Sequence, residues 1–244
     1  MRKILLWLGL GVVVVAGLAF AGWYFFLKTD PKPPAAIEQT PLQTQVPSTG
    51  SDASGQDASG TSGVLDGTYT VSPGDTQSFV GYRVTEKLVA NISESTATGR
   101  TDNVTGTFTV DGTTISDVSV SADLRDLQSD NSFRDGRIRS EGLESDRFPT
   151  ATFVLTEPLT LSAAPQPGET VTVDATGTFT LHGVTKQVTV PIQARWDGKD
   201  IQIVGNLPIA FSDYHISAPT APAVASVDDH GSMEFQLFFK KTEA

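Results

Sequence analysis

Val171-Thr-Val-Asp-Ala-Thr-Gly-Thr-Phe-Thr-Leu181, His182-Gly183 and Val184-Thr-Lys-Gln-Val-Thr-Val-Pro-Ile-Gln-Ala-Arg-Trp196 form the stretch that decides the fold. In the first half, Val171, Val173, Ala175, Phe179 and Leu181 alternate with Thr172, Asp174, Thr176, Thr178 and Thr180. In the second, Val188, Val190, Ile192, Ala194 and Trp196 alternate against Thr189, Gln193 and Arg195. A strand sends successive side chains to opposite faces, so each half predicts a strand with one dry face and one wet face. Threonine suits the wet face, because its branched carbon fits the pleat while its hydroxyl meets water. His182-Gly183 reads as a tight hairpin turn with the glycine at positive φ, which makes the two strands antiparallel neighbours.

The same pattern extends in both directions. Val118, Val120, Ala122 and Leu124 oppose Ser119, Ser121 and Asp123, and the C-terminal part repeats it through Ile201, Ile203, Leu207, Ile209 and Phe211, then Met233, Phe235, Leu237 and Phe239. Turn signals at Asp111-Gly112, Asp197-Gly198 and Pro165–Gly168 separate the runs. Eight or so such strands close as an up-and-down barrel or stack as a two-sheet sandwich, and alternation alone does not separate these outcomes. The one clearly non-strand segment, Asp130–Arg147, favours a barrel, as a short helix or loop that plugs or flanks an opening. Its Phe133, Ile138 and Leu143 recur at fives and fit a helix loosely, and Gly136 and Gly142 weaken it.

The chain has 244 residues, and three segments follow from its texture. Residues 1–28 carry the apolar run Ile4–Leu27, long enough for the roughly 20 residues that span a bilayer. A cleaved signal peptide competes, with Arg2 and Lys3 as its basic start and Ala19-Phe-Ala21 as its cleavage site. The apolar run continues past that site to Leu27, which favours a retained transmembrane anchor, N-terminus inside and domain outside. Residues 29–63 are rich first in proline and then in Gly, Ser and Asp, which predicts a disordered linker with a reach of about 30–35 Å. Residues 64–244 are the folded domain. The expected location is the cytoplasmic membrane, single-pass, with this domain extracytoplasmic.

A formal net charge of -11 excludes nucleic acid as a partner, since phosphates need a basic face. It equally argues against a broad grip on anionic headgroups. With no cysteine there is neither a thiol nucleophile nor a disulfide framework. Ser140, Ser212 and Ser217 could be paired with His182, His215 or His230, but none lies in a nucleophile-elbow motif, so no enzyme activity and no cofactor are expected. Asp213, His215, Asp228, Asp229 and His230 lack the spacing of a known metal site and read as solvated turns. Arg134, Arg137, Arg139 and Arg147 stand among Asp130, Asp135, Glu141, Glu144 and Asp146, the pattern of an ion-paired surface. At a cavity rim, the same guanidiniums would offer paired donors to a phosphate or quinone headgroup.

Several segments together resemble the YceI-like family of lipid/polyisoprenoid-binding proteins: Gly67-Thr-Tyr-Thr-Val71, Val104-Thr-Gly-Thr-Phe108, Arg134–Ser140, Arg147-Phe-Pro-Thr-Ala-Thr-Phe153, and above all Gly177-Thr-Phe-Thr-Leu-His-Gly-Val-Thr-Lys186. The resemblance covers about Leu65 to Lys240. It implies an all-β, extended antiparallel, lipocalin-like β-barrel with a short helical or loop insertion, whose apolar interior encloses an isoprenoid chain. Two departures stand out: Tyr69 replaces the frequent opening tryptophan, and Ser212 with His215 stand where an arginine is usual.

Under that resemblance the dry faces supply the candidate lining. Phe79, Phe108, Val118, Val120, Phe153 and Val173 come from the first part of the domain, and Phe179, Leu181, Val190, Ile203, Phe235 and Leu237 from the second. Arg134, Arg137 and Arg139 are the candidate headgroup contacts. The expected function is non-enzymatic binding, storage or transport of an isoprenoid-type lipid, polyprenol-like or quinone-like. The alternative is a structural or stress-related envelope module with a filled barrel. The expected partners are the lipid, the membrane through the N-terminal helix, and in one version a second copy of the chain as a homodimer.

Overall fold

A computed structural model describes residues 30–37, 65–75, 77–89, 91–219 and 224–242. The proposed anchor at 1–28 lies outside the described residues. Among those described, no helix is long and apolar enough to cross a membrane.

Twelve strands follow one another in the chain: β1 (Gly67–Val71), β2 (Phe79–Leu88), β3 (Asn91–Thr101), β4 (Val104–Asp111), β5 (Thr114–Asp123), β6 (Gln128–Ser129), β7 (Thr150–Leu155), β8 (Leu159–Thr160), β9 (Thr170–Leu181), β10 (Val184–Trp196), β11 (Ile201–Ala210) and β12 (Val224–Lys241). All the pairings are antiparallel. Eight strands form a closed ring, β1-β4-β5-β7-β9-β10-β11-β12, sealed where Tyr69 and Thr70 of β1 pair with Lys241 and Lys240 of β12. The barrel is thereby chosen over the sandwich.

The decisive hairpin forms as its alternation requires. β9 and β10 pair without a break from Val184↔Leu181 to Arg195↔Thr170. His182 (φ 51) and Gly183 (φ 75) both turn left-handed, the geometry of a two-residue turn whose twist matches the strands.

β12 is longer than the ring needs. Its last residues meet β1, while Val224–Gln236 pair with β2, which pairs in turn with β3 and then β6. Register shifts between Val224 and Ser226, and between Val227 and Gly231, bend this part of β12. The result is a wing, β2-β3-β6, standing beyond one end of the ring. The segment expected to be helix or loop sits there: α1 (Ser132–Arg137) continues into a π turn, Ile138–Gly142. Asn131 caps α1, its side-chain oxygen accepting from the N–H groups of Phe133 and Arg134.

The narrow end of the ring is shut by aromatic packing. Tyr69 stacks on Phe108 at 5.3 Å between ring centroids, and Phe108 meets Phe239 edge-on at 4.7 Å. The Tyr69 hydroxyl donates to the Leu65 carbonyl at 2.8 Å, so this buried ring keeps its polar tip satisfied.

One boundary changes. The linker was expected to be free from residue 29 to residue 63, but its first described residues, Asp30–Ile37, lie against the outside of the barrel. The Lys32 N–H donates to Thr98 Oγ1 (3.0 Å), and Gln202 Nε2 donates to the Ala36 carbonyl (3.1 Å). Prolines at 31, 33 and 34 leave few N–H groups to satisfy along that path, which lets an extended segment lie on a sheet face. Residues 38–64 lie outside the described residues.

Phe239 is 1% exposed at the seam where β12 closes on β1. Replacing it with alanine is expected to lower the unfolding free energy by about 3–5 kcal/mol. Denaturant titration checks this; a loss below about 1 kcal/mol would mean the narrow end is not sealed by packing.

Candidate ligand-binding cavity

The interior holds two spaces of different character. Within the ring lies a narrow lobe of about 160 Å³, and under the wing lies a chamber of about 750 Å³. Val80 and Met233 line both. The narrow lobe is the size of a dry cavity that takes a single ring-sized apolar group, about 150 Å³. The chamber falls within the range of ligand pockets, about 300–1,000 Å³.

Ten of the twelve apolar candidates face the narrow lobe: Phe108, Val118, Val120, Phe153 and Val173 from one part of the ring, and Phe179, Val190, Ile203, Phe235 and Leu237 from the other. Leu181 faces the chamber. Phe79 is a correction: it lies under the Arg100 guanidinium, 3.7 Å from the ring centroid, on the face of β2 shared by Gly81 and Arg83. Two apolar residues are adjacent there, and it is Val80 that turns inward.

The chamber walls come largely from residues outside those alternating runs. Val84 and Ala97 belong to β2 and β3; Leu127, Ile138 and Leu143 come from the segment around α1; Ile216 follows the turn after β11. Val89 and Phe133 also line it and are exposed, giving the opening an apolar lip.

The chamber's polar side groups around Tyr82, Glu86 and Arg134. Along β2, Val80, Tyr82, Val84, Glu86 and Leu88 share one parity, so a tyrosine and a glutamate stand on the dry face. Arg134 of α1 reaches Glu86 at 2.9 Å and Asp130 at 2.5 Å, with both partners of the Glu86 pair largely buried. Breaking such a pair from one side costs about 3–5 kcal/mol, which makes it an anchor of α1 to the wing.

Tyr82 lies across Gly99, its register partner on β3. A Cβ at position 99 would come within 2.4 Å of the tyrosine ring, so only glycine admits this placement. The Tyr82 hydroxyl is buried without a hydrogen-bond partner among the described residues. The nearby Ser129 hydroxyl is engaged with Asp135 Oδ1 (2.6 Å) and the Asn131 carbonyl (3.1 Å). Burial drives the Tyr82 pKa far upward, only partly offset by Arg134, so the group is a neutral donor.

The other headgroup candidates divide. Arg137 lines the chamber, paired with Glu141 and 5.5 Å from the Phe133 ring centroid. Arg139 is not part of the lining; its Nη2 donates to the Arg125 carbonyl at 2.9 Å. Ser212 and His215, which stand at the departure from the family pattern, are exposed. His182 is buried, with Nδ1 2.9 Å from the Tyr214 carbonyl and Nε2 2.9 Å from Glu144 Oε2. It ties the β9–β10 turn to the segment after α1. His230 faces Asp229, and the Ser140 hydroxyl donates to the Gly136 carbonyl.

The chain is 28% identical over 151 residues to a UPF0312 protein of Vibrio vulnificus (strain YJ016), covering 58% of this chain and 76% of that protein. It is 29% identical over 169 residues to a UPF0312 protein of Enterobacter sp. (strain 638), covering 66% and 81%. In structure it is similar to a polyisoprenoid binding domain from Saccharophagus degradans implicated in plant cell wall breakdown. The TM-score is 0.55, with 72% of this chain and 99% of that domain covered; at 19% identity the likeness is one of fold. The model of the YceI-like domain matches residues 69–239, the span that builds the ring, the wing and both lobes, and the chain belongs to that family.

Proposed function

We propose that this chain binds an isoprenoid-type lipid non-enzymatically, its tail in the two lobes and its polar end beside Tyr82 and Arg134. The observation that carries this reading is the 750 Å³ chamber, apolar over most of its wall, with a second apolar lobe on the other side of Val80 and Met233, which line both. A barrel acting only as a structural module has no use for an open interior of that size, since small barrels fill with their own side chains. The tail end fits the narrow lobe and the bulkier end the chamber, where the polar groups are.

Charge selects among headgroups. Glu86 and Asp130 already neutralise Arg134, and Glu141 neutralises Arg137, so a doubly charged phosphate would meet no spare positive charge at these two arginines. A neutral carbonyl or hydroxyl needs no countercharge, and Tyr82, a neutral donor, stands in the chamber lining. The proposed cargo is therefore quinone-like or polyprenol-like, without phosphate.

Burying a tail from water is worth about 0.8 kcal/mol per CH₂, but this lipid leaves a bilayer as apolar as the chamber, so transfer between the two is near balance. That balance suits reversible holding or shuttling at the outer face of the cytoplasmic membrane, where the apolar N-terminal run would keep the barrel.

Filling the chamber tests the reading. Val84→Trp and, separately, Ile138→Trp are expected to reduce uptake of a labelled long-chain quinone from vesicles by about tenfold or more, the equivalent of about 1.4 kcal/mol. Melting temperatures close to that of the unmodified protein should accompany the loss; unchanged uptake in both variants would place the lipid elsewhere. Tyr82→Phe should move two quantities in opposite directions. Removing an unpartnered buried hydroxyl raises the stability of the empty protein by about 1–3 kcal/mol, while quinone affinity falls severalfold, about 1 kcal/mol. Equal affinity in the two proteins would remove Tyr82 from the headgroup site.

A further inference from the structure

Outward-facing residues on one side of the barrel are buried as deeply as its core. Thr98 on β3, Glu234 on β12, and Gln202 and Val204 on β11 are all below a tenth exposed, although their neighbours Ala97, Met233, Ile201 and Ile203 are the ones that face the interior. An outward face is buried only where something lies over it.

What lies there is Asp30–Ile37. The Asp30 N–H donates to Asp130 Oδ2, the Lys32 N–H to Thr98 Oγ1 (3.0 Å), Arg83 Nη2 to the Lys32 carbonyl (2.7 Å), Arg100 Nη2 to the Pro33 carbonyl, and Gln202 Nε2 to the Ala36 carbonyl (3.1 Å). Apart from Asp130, just before α1, these contacts fall on β2 and β3 on one side of β12 and on β11 on the other, so the segment crosses the strands.

The donors are held in place before the segment arrives. Glu234, 1% exposed, takes Arg83 at 3.1 Å and Arg100 at 2.8 Å. Gly81 makes this reach feasible: in the sheet it stands between Arg100 on β3 and Glu234 on β12, and a Cβ there would come within 2.7 Å of the Arg100 stem and 2.4 Å of the Gly99 carbonyl. With no side chain at 81, Arg100 lies across β2 and stacks over Phe79 on the way. Each arginine then has N–H groups left over, aimed outward at carbonyls. A proline-rich extended segment is the complementary partner: it offers carbonyls, has few N–H groups to satisfy, and loses little entropy on binding.

We propose that the outer wall of β3, β2, β12 and β11, organised by the Glu234–Arg83–Arg100 cluster, is a peptide-binding seat for the chain's own proline-rich stretch Asp30–Ile37. The stretch is a bound strap, not a free tether. Because it starts immediately after the apolar run Ile4–Leu27, a membrane-embedded run would hold the barrel at the bilayer surface in one orientation. That consequence rests on the anchor reading; the seat does not, and it is independent of the lipid.

Hydrogen exchange resolved to single amides, on the full chain in nanodiscs, tests the seat. The Lys32 amide is expected to exchange at least about tenfold more slowly than in an unstructured peptide, the protection of one made hydrogen bond with its neighbours. The Pro33→Gly/Pro34→Gly double variant and Gln202→Leu leave Glu234 and its arginines intact. Both should lose most of that protection while the amides of β9 and β10 are unchanged. An unprotected Lys32 amide in the unmodified chain would overturn the proposal, as would protection that grows with protein concentration, since a second copy would then supply the segment.

Discussion

Strand β12 pairs along its last residues with β1, which ends at Val71, and along Val224–Gln236 with β2. One edge of one strand thus serves two partners, and it cannot keep both in a single cylinder. Where β1 is the neighbour, the sheet closes into eight strands and the interior shrinks to a lobe packed by its own side chains. Where β2 is the neighbour, the wall swings outward, and α1 with its π turn spans the gap. The chamber is the consequence of that divided edge. A barrel closed along its full length on eight strands has an interior that its own side chains fill or that holds one small ligand.

The polar groups at the two ends of this arrangement solve the same problem differently. Inside, Glu86 and Arg134 are taken out of water together, so neither charge is left alone as α1 docks on the wing. Outside, Glu234 is covered by the N-terminal segment and answered by two arginines. Asp130 joins the two systems: it accepts from Arg134 at the chamber and from the Asp30 backbone on the outer wall. The segment around α1 and the strap on the outer wall therefore meet at Asp130.

Much of the ring was legible because alternation is a local signal. Val171–Leu181 and Val188–Trp196 show their inward face with no knowledge of their neighbours, and the residues they supply do point inward. Phe79 was misplaced because Phe79 and Val80 are both apolar and the parity has to be taken from residues further along β2. The chamber itself was hidden, since most of its walls come from segments brought together only by tertiary structure: Ile138 and Leu143 around the π turn, Ile216 after β11. A signal for its polar side did exist. Val80, Tyr82, Val84, Glu86 and Leu88 share a parity, which places Tyr82 and Glu86 on a dry face. The burial of Glu234 had no such signal, because the two arginines that enclose it, Arg83 and Arg100, come from β2 and β3, far earlier in the chain.

The central claim is that the divided edge of β12 builds a chamber that holds a neutral isoprenoid-type lipid. Native mass spectrometry of the full chain, purified in detergent from the envelope of its own host and followed by organic extraction, addresses it most directly. A single bound quinone-like or polyprenol-like molecule per barrel is the predicted result. A barrel that emerges empty, and stays empty when offered long-chain quinones and polyprenols, would contradict it.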